Sequence, residues 1–206
     1  MTKLKKTITL ATVVLVGLLG ACTTTSNGTT TPSATGSSSS PSATRTTTSP
    51  TPTQSPEEQA IAAATELIPV YFATRDRSLQ EGTKFNVEDF KKVAISSGLL
   101  EVQNRWNVIT GQKFTQIGNS KVETIDNPRV DLALDLKKQP PDVPTVQLDV
   151  CIDFTKVNIV DEAGASQIPA TRVPRQKWRV GVSNYEYPKP DQWRVSFTDT
   201  QGGKTC

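Results

Sequence analysis

Hydrophobic positions after residue 55 recur at intervals of three and four, which predicts a helix. Its start is marked by Ser55, Pro56 and Glu58, because serine caps a helix, proline suits its first position and glutamate can bond back to the cap. We expect about five turns, with a kink at Pro69. The apolar positions of this helix are Ile61, Ala64, Leu67, Ile68, Tyr71 and Phe72.

Two shorter helical segments are expected after a polar connection. The first covers residues 87–95, with Asn86 as its cap and Gly98 after its end. The second covers residues 99–109 and ends at Gly111.

The hydrophobic period then changes from helical to alternating, which predicts antiparallel strands and a turn at residues 161–164. A shift of the alternation after Phe154 predicts a β-bulge near Thr155, which would bend a long strand. The predicted strands are residues 114–125, 130–136, 146–154, 176–183 and 192–198. In the last hairpin we expect Trp178, Val180 and Val182 to face Trp193, Val195 and Phe197. Helices followed by strands predict an α+β fold, with N-terminal helices packed on a long bent antiparallel sheet.

Residues 23–56 have a composition that does not favour folding. Of these 34 residues, 27 are Ser, Thr or Pro, and none is Val, Ile, Leu, Met or aromatic. Such a segment buries too little apolar surface to offset the entropy lost on ordering. We therefore predict a disordered tether, which would reach about 100 Å when extended.

The N-terminus has the pattern of an export signal. A basic start, formed by Lys3, Lys5 and Lys6, precedes an apolar segment over residues 8–19. This segment is shorter than the roughly 20 apolar residues that span a bilayer, but it suits a cleaved signal peptide. The alternative is an uncleaved membrane anchor with an incidental cysteine.

The end of this signal, Leu19, Gly20, Ala21 and Cys22, resembles the lipobox of bacterial lipoproteins. The resemblance implies cleavage after Ala21 and a lipid on the Cys22 thiol, so the membrane would be a partner of the chain. Two acyl chains give stable attachment. We thus expect a signal peptide at 1–21, a lipidated cysteine and tether at 22–56, and a folded domain at 57–206, on the extracytoplasmic face of the cell membrane.

Charge and composition exclude several functions. The formal charge is +3, but without the three lysines of the signal 20 basic residues face 20 acidic ones, so we expect no nucleic-acid partner. The chain contains no histidine, which excludes Ser-His-Asp hydrolysis and histidine ligation of zinc or haem. We expect no cofactor and no metal site.

Two cysteines remain in the predicted domain. Cys151 and Cys206 form an even pair in an exported chain, which predicts a disulfide. The cross-link would close a loop of 55 positions and contribute at most about 4 kcal/mol in the chain-entropy model. A redox-active or metal-binding pair is the alternative, but neither cysteine has a CxxC partner or a neighbouring histidine.

Residues 57–206 resemble a known family in the order of their elements. A long helix, two shorter ones and a bent antiparallel sheet are similar to the cone-shaped nuclear transport factor 2-like fold, shared with ketosteroid isomerase. Within it, the chain resembles lipoproteins of Gram-positive, especially actinobacterial, bacteria. The motifs are the strand VQLDVCID at 146–153, the following W-x-V strand and the final GKTC at 203–206. This fold hosts enzymes, carriers and protein-binding modules alike.

The isomerase branch of that fold uses a carboxylate base with a tyrosine donor. Tyr71 is the conceivable donor here, and Asp149 or Asp153 the conceivable base. Both aspartates alternate out of phase with the apolar positions of their strand, so we expect them on the face away from the core. The favoured interpretation is two solvated aspartates and a core tyrosine, and no catalytic residue is assigned.

Two surface features are candidates for contact with partners. A basic set could bind wall polymers or lipid headgroups, although an ordinary charge-paired face is favoured: Arg172, Arg175, Lys177, Arg179 and Arg194. The loop with Tyr185 and Tyr187 is the candidate protein-contact site, although tyrosines also cover hairpin ends.

The sequence therefore favours a membrane-anchored surface lipoprotein that binds a protein, a cell-wall component or a small apolar ligand without catalysis. A carboxylate-dependent isomerase- or dehydratase-like enzyme is the alternative, and a passive spacer or assembly part of an envelope complex is the third hypothesis. An open cone with a buried acid would favour the enzyme. A cavity filled by Trp106 and Trp178 would favour the binding module.

Overall fold

A long helix, α1 (Pro56–Glu81), opens the part of the chain that the computed structural model describes, residues 54–206. Its start is as predicted: Ser55 Oγ accepts from the Glu58 backbone N–H at 3.2 Å, and Ser55 N–H donates to the Glu58 carboxylate at 2.8 Å. The predicted length was too short, since α1 has 26 residues and continues past Pro69. Beyond Phe72 the buried positions of α1 are mostly polar, so a prediction based on apolar positions ends the helix too early.

The prediction of a second helix over residues 87–95 is corrected by the structure. Residues Val87–Lys92 form a 3₁₀ helix capped by Asn86, and the chain then becomes extended. There Ile95 N–H donates to Val195 O and Val195 N–H donates to Val93 O, both at 2.9 Å, so a strand partner takes the backbone groups that a helix would use.

Helix α2 (Ser96–Gly111) begins where the sequence predicted an ending. Gly98 lies in its first turn and is buried against the backbone of the sheet. A Cβ atom there would lie 2.6 Å from Val195 O, so this glycine permits close packing of the helix on the strand.

Within residues 54–206, six strands form two antiparallel sheets. They are β1 (Thr115–Ile117), β2 (Lys121–Asp131), β3 (Thr145–Asp153), β4 (Asn158–Val160), β5 (Arg175–Ser183) and β6 (Arg194–Asp199). The larger sheet has the order β2-β3-β5-β6, and β1 pairs with β4 in the smaller one. Both helices contact the larger sheet, and α1 also contacts β1, so the predicted α+β class is confirmed.

The sheet differs from the prediction at two places before β3. The predicted strand 114–125 is divided between β1 and β2 by a turn at Gly118. The predicted strand 130–136 is wrong beyond Asp131, where β2 ends. Leu134 and Leu136 are 44% and 53% exposed because no strand in the described part of the chain pairs along them beyond one isolated bridge at Asp135.

The predicted bulge at Thr155 is also wrong. Strand β3 ends at Asp153, and Phe154 N–H donates to Pro174 O at 2.7 Å. The chain turns there and enters the smaller sheet as β4. The change of phase in the sequence thus marks a passage between two sheets.

Register shifts occur elsewhere, including between Gly181 and Val182 where β5 pairs with β6. As a result Val195 pairs with Val182 and lies in the core, whereas Phe197 pairs with Gly181 and lies on the outer face. The expectation that Phe197 faces one of Trp178, Val180 and Val182 is corrected: its partner is Gly181, where a Cβ would overlap the Phe197 ring.

The main core lies between α1 and the larger sheet. Phe72 lies at its centre, and its ring meets those of Tyr71 and Trp178 edge to face, at centroid distances of 5.2 and 5.6 Å. Between residues 54 and 206, none of the helices has the length and apolarity needed to cross a membrane.

Candidate functional site

A cavity of about 470 Å³ lies beside this core. It is bordered by α1, α2, β1, β4, β5 and the connection 161–174. Its apolar wall consists of Ile109, Phe114, Phe154, Val157, Ile159, Ile168 and Trp178. Trp178 forms part of this wall without filling the space, and Trp106 instead donates its indole N–H to Gly82 O at 2.9 Å. The volume is in the range of pockets that take small molecules.

Three arginines line the same cavity from three different elements. Arg75 comes from α1, Arg105 from α2 and Arg172 from the connection 161–174. No carboxylate in the described part of the chain forms an ion pair with any of the three. The cavity wall is therefore positively charged.

Arg75 is buried, with 5% of its surface exposed. Its guanidinium lies over the rings of Phe154 and Trp178, at 5.8 and 5.4 Å from their centroids. Its Nε–H has no hydrogen-bond partner among residues 54–206. Cation–π contacts offset part of the cost of burying this charge, but they supply no counter-charge.

Arg172 and Arg105 complete the basic wall in different ways. Arg172 is held in place because its Nη2 donates to Phe154 O and Val157 O, each at 2.9 Å. Arg105 is more exposed. The nearby charge of Arg75, followed by desolvation, lowers the pKa of Arg105 to about 10, so it remains a cation at neutral pH.

Of the described side chains that line the cavity, only Glu101 is acidic. Its Oε2 accepts a hydrogen bond from the Tyr71 hydroxyl at 2.8 Å and another from Thr198 Oγ1 at 3.3 Å. Burial, and then the charge of Glu101, raise the pKa of Tyr71 well above its ordinary value. Tyr71 thus stays protonated and positions the glutamate.

The two candidate catalytic aspartates lie outside this cavity. Asp149 is on the outer face of β3, where it accepts from Asn127 Nδ2 at 3.2 Å and lies 3.4 Å from Lys177 Nζ and 3.5 Å from Arg179 Nε. Contrary to the expected solvation, its side chain is only 9% exposed. Desolvation raises the pKa of Asp149, but hydrogen bonds from Asn127 and Lys177 and nearby positive charge outweigh it, so the net pKa is lowered.

Asp153 is half-exposed at the end of β3. Its carboxylate accepts from the Thr155 backbone N–H at 2.7 Å. Hydrogen bonding by the Thr155 side chain, followed by that of this N–H, lowers the pKa of Asp153. Neither aspartate lies in a cavity with Tyr71, so the arrangement conceived for an isomerase is not formed by these residues.

The basic set considered in the sequence is divided by the fold. Arg175 pairs with Glu123, and Lys177 and Arg179 flank Asp149, so this part of the sheet surface carries paired charges. The other two members lie elsewhere: Arg194 donates to the backbone oxygens of Asp191 and Trp193, and Arg172 lines the cavity.

The two tyrosines proposed for partner contact have different environments. Tyr185 is 43% exposed, and its hydroxyl lies 3.3 Å from Ser96 Oγ. Tyr187 is half-buried against Trp193, with ring centroids 6.3 Å apart. Tyr185 therefore offers the more accessible ring, and a role in partner contact stays a prediction.

The two cysteines of the domain are joined as a disulfide, as predicted. Cys151 lies on β3, and its Cα is 5.9 Å from that of Cys206. The C-terminal segment lies along β5, where Lys177 N–H donates to Lys204 O at 2.8 Å. In residues 54–206 no group of three or more Cys, Asp or Glu side chains is arranged to hold a metal ion. The proposed lipobox, Leu19, Gly20, Ala21 and Cys22, lies outside the described residues.

No protein-family profile matches the chain, and no curated protein matches its sequence. Among solved structures, the chain is similar to the intermembrane-space region of the chloroplast protein ARC6, with 10% identity and a TM-score of 0.42. That match covers 67% of this chain and 93% of the other.

The sequence pattern did not single out Arg75, Arg105 or Glu101 as site residues. On helices, charged residues usually indicate a solvated face, and none belongs to a motif. A signal was nevertheless present. Arg75 lies at helical spacing between Phe72 and Leu79, and Arg105 lies between Val102 and Ile109, so each arginine interrupts an otherwise apolar stripe.

Proposed function

We propose that this chain is an exported, lipid-anchored binding module of the nuclear transport factor 2-like type, and that the cavity between its helices and sheets binds a small molecule without catalysis. The observation that carries the proposal is the cavity itself, with its aromatic and aliphatic wall and buried polar groups. Ligand sites combine these features.

The anchoring part of the proposal rests on the sequence. A signal-like segment ends at Cys22, and a stretch rich in Ser, Thr and Pro separates it from Pro56, where α1 begins. In this arrangement the lipid holds the module at the membrane, and the tether lets the cavity meet ligands in the envelope. Mass spectrometry of the membrane-extracted protein tests it: the expected N-terminus is a lipidated Cys22, and an unmodified, retained leader would contradict it.

Photo-crosslinking in intact cells tests the binding function. A photoreactive amino acid replaces Ile168 in the cavity wall, and matched variants carry it at Tyr185 or at the exposed Leu136. We expect a small-molecule adduct at position 168 and none at position 136. A protein adduct at position 185, with none at 168, would instead favour a protein-binding module.

A second candidate function, a carboxylate-dependent isomerase or dehydratase, is favoured by one observation: Glu101 lies in the cavity beside Tyr71. Against it, the Tyr71 hydroxyl donates its hydrogen to Glu101, so this hydrogen is not available for a substrate oxygen. The two functions can be separated with the ligand recovered by crosslinking, incubated with the protein in D₂O. Incorporation of deuterium at a carbon atom of the ligand by the natural chain, and its loss in the Glu101→Gln variant, would favour the enzyme.

A further inference from the structure

We infer that the molecule bound in the cavity is an amphipathic anion: an acidic headgroup paired with the arginines and an apolar body against the aromatic wall. This inference rests on the proposed binding function and names the ligand class. Of the three ligand classes left open by the sequence, it replaces the small apolar ligand.

The charge of the cavity is the first step. Arg75 is 95% buried, and among the described residues it has no ion pair and its Nε–H has no acceptor. Buried charges in proteins are ordinarily paired, and a buried N–H ordinarily has an acceptor. The missing counter-charge is therefore one that a ligand can supply.

The convergence of the arginines is the second step. Arg75, Arg105 and Arg172 approach one space from three elements, whereas Glu101 is the single acid among the described residues of the wall. The hydrogen bond from the neutral Tyr71 hydroxyl leaves the negative charge of Glu101 in place, so three positive charges face one negative charge. The two backbone contacts of Arg172 fix its guanidinium before any ligand arrives. Planar guanidinium groups match carboxylate, sulfonate and phosphate oxygens in charge and geometry.

The apolar wall next to these charges indicates that the rest of the ligand is apolar. Trp178 and Phe154 form the surface under Arg75, and Ile159 and Ile168 also line the cavity. A small inorganic anion would leave this apolar surface in contact with water, and a neutral apolar ligand would leave Arg75 unpaired. A molecule with an acidic group and an apolar body would pair with the arginines and also cover the apolar wall.

Calorimetric titration of the detergent-solubilised full chain with 2-naphthoate and its neutral amide, 2-naphthamide, tests the inference. The two probes share one ring system and differ in charge. We expect 2-naphthoate to bind at least tenfold more tightly than 2-naphthamide, and sodium sulfate to bind much more weakly than 2-naphthoate. Titration of detergent alone corrects for partition into micelles.

Three variants assign this preference to the cavity. Arg75→Met and Arg105→Met should reduce the preference for the anion to less than threefold. Arg179→Met, on the outer face of the sheet, should keep it. Arg105 is exposed and donates no side-chain hydrogen bond to a described residue, so its replacement provides a test that does not disturb the core.

The outcomes separate the inference from the function on which it rests. Equal affinity for both probes, or an anion preference that survives in Arg75→Met and Arg105→Met, would overturn the anion while leaving a ligand cavity. Sulfate binding as tight as that of 2-naphthoate would overturn the amphipathic ligand in favour of a plain anion site. Failure of both probes, together with no adduct at position 168, would remove the binding function as well.

Discussion

Replacing Arg75 by methionine should make the protein more stable while weakening anion binding. The Arg75 side chain is buried without a counter-ion from the described part of the chain, and its guanidinium contacts two aromatic rings. Methionine has a similar length and an apolar, flexible side chain that can keep the contacts with Phe154 and Trp178. The substitution removes the cost of an unpaired buried charge and creates no large cavity.

The expected gain can be estimated from these contacts. Burying an ion without a partner costs several kcal/mol after relaxation. Cation–π contacts return about 0.5–2 kcal/mol each, and two are present at Arg75. We therefore expect Arg75→Met to raise the free energy of unfolding by about 1–2 kcal/mol. For a domain of this size, each kcal/mol raises the melting temperature by about 2–4 °C.

Urea denaturation followed by tryptophan fluorescence measures this change, with Arg179→Met as the matched control. Arg179 lies 3.5 Å from Asp149, so its loss leaves that carboxylate with one cation fewer. The control should lose about 0.5–1 kcal/mol, the opposite sign. If Arg75→Met instead lost more than 1 kcal/mol, Arg75 would be a structural residue with a compensated charge, and the reasoning about an unpaired cation would be refuted.

Three further predictions concern the frame around the cavity. Cys206→Ser opens the loop closed by the disulfide and should cost up to about 4 kcal/mol in urea denaturation; a reductant should destabilise the natural chain equally and leave the variant unchanged. Gly181→Ala should cost about 1–3 kcal/mol because the new Cβ overlaps the Phe197 ring, and Gly181→Ala with Phe197→Ala should cost less than the sum of the single changes; strict additivity would contradict this contact. The pKa of Asp149 is lower in the folded state than the ordinary 3.8, so its contribution to stability is present above about pH 4 and is lost as the pH falls through the folded value. Asp149→Asn should therefore flatten the acid side of the stability profile, and an unchanged profile would count against the paired carboxylate.

Local chemistry made some elements predictable from the sequence. The start of α1 depends on residues within a single turn. Ser55 and Glu58 hydrogen-bond to each other and Pro56 suits the first helical position, so no distant residue is needed. Strand β3 was also recognisable, because its alternating apolar side chains are buried against one core. The pairing of Cys151 with Cys206 was predictable because the predicted domain, residues 57–206, contains these two cysteines and no third.

Other elements depend on partners that the sequence does not reveal. Leu134 and Leu136 alternate as in a strand, but apart from the bridge at Asp135 no strand among residues 54–206 pairs with that stretch. Ile95 is extended because Val195, a hundred positions later, accepts its N–H. The basic wall of the cavity required Arg75, Arg105 and Arg172 to be brought together from two helices and a loop, so neither a motif nor a spacing could indicate it.

The division of the strands into two sheets gives the cavity walls unequal resistance to local unfolding. The wall containing Ile159 belongs to a ladder of only three residue pairs, whereas Trp178 lies in a strand paired on both sides. Amide deuterium exchange should accordingly be faster at Ile159 than at Trp178 in the empty protein. A molecule that contacts both walls would slow exchange mainly in the short ladder, so occupancy could be followed at single backbone positions without knowing the chemical identity of the occupant.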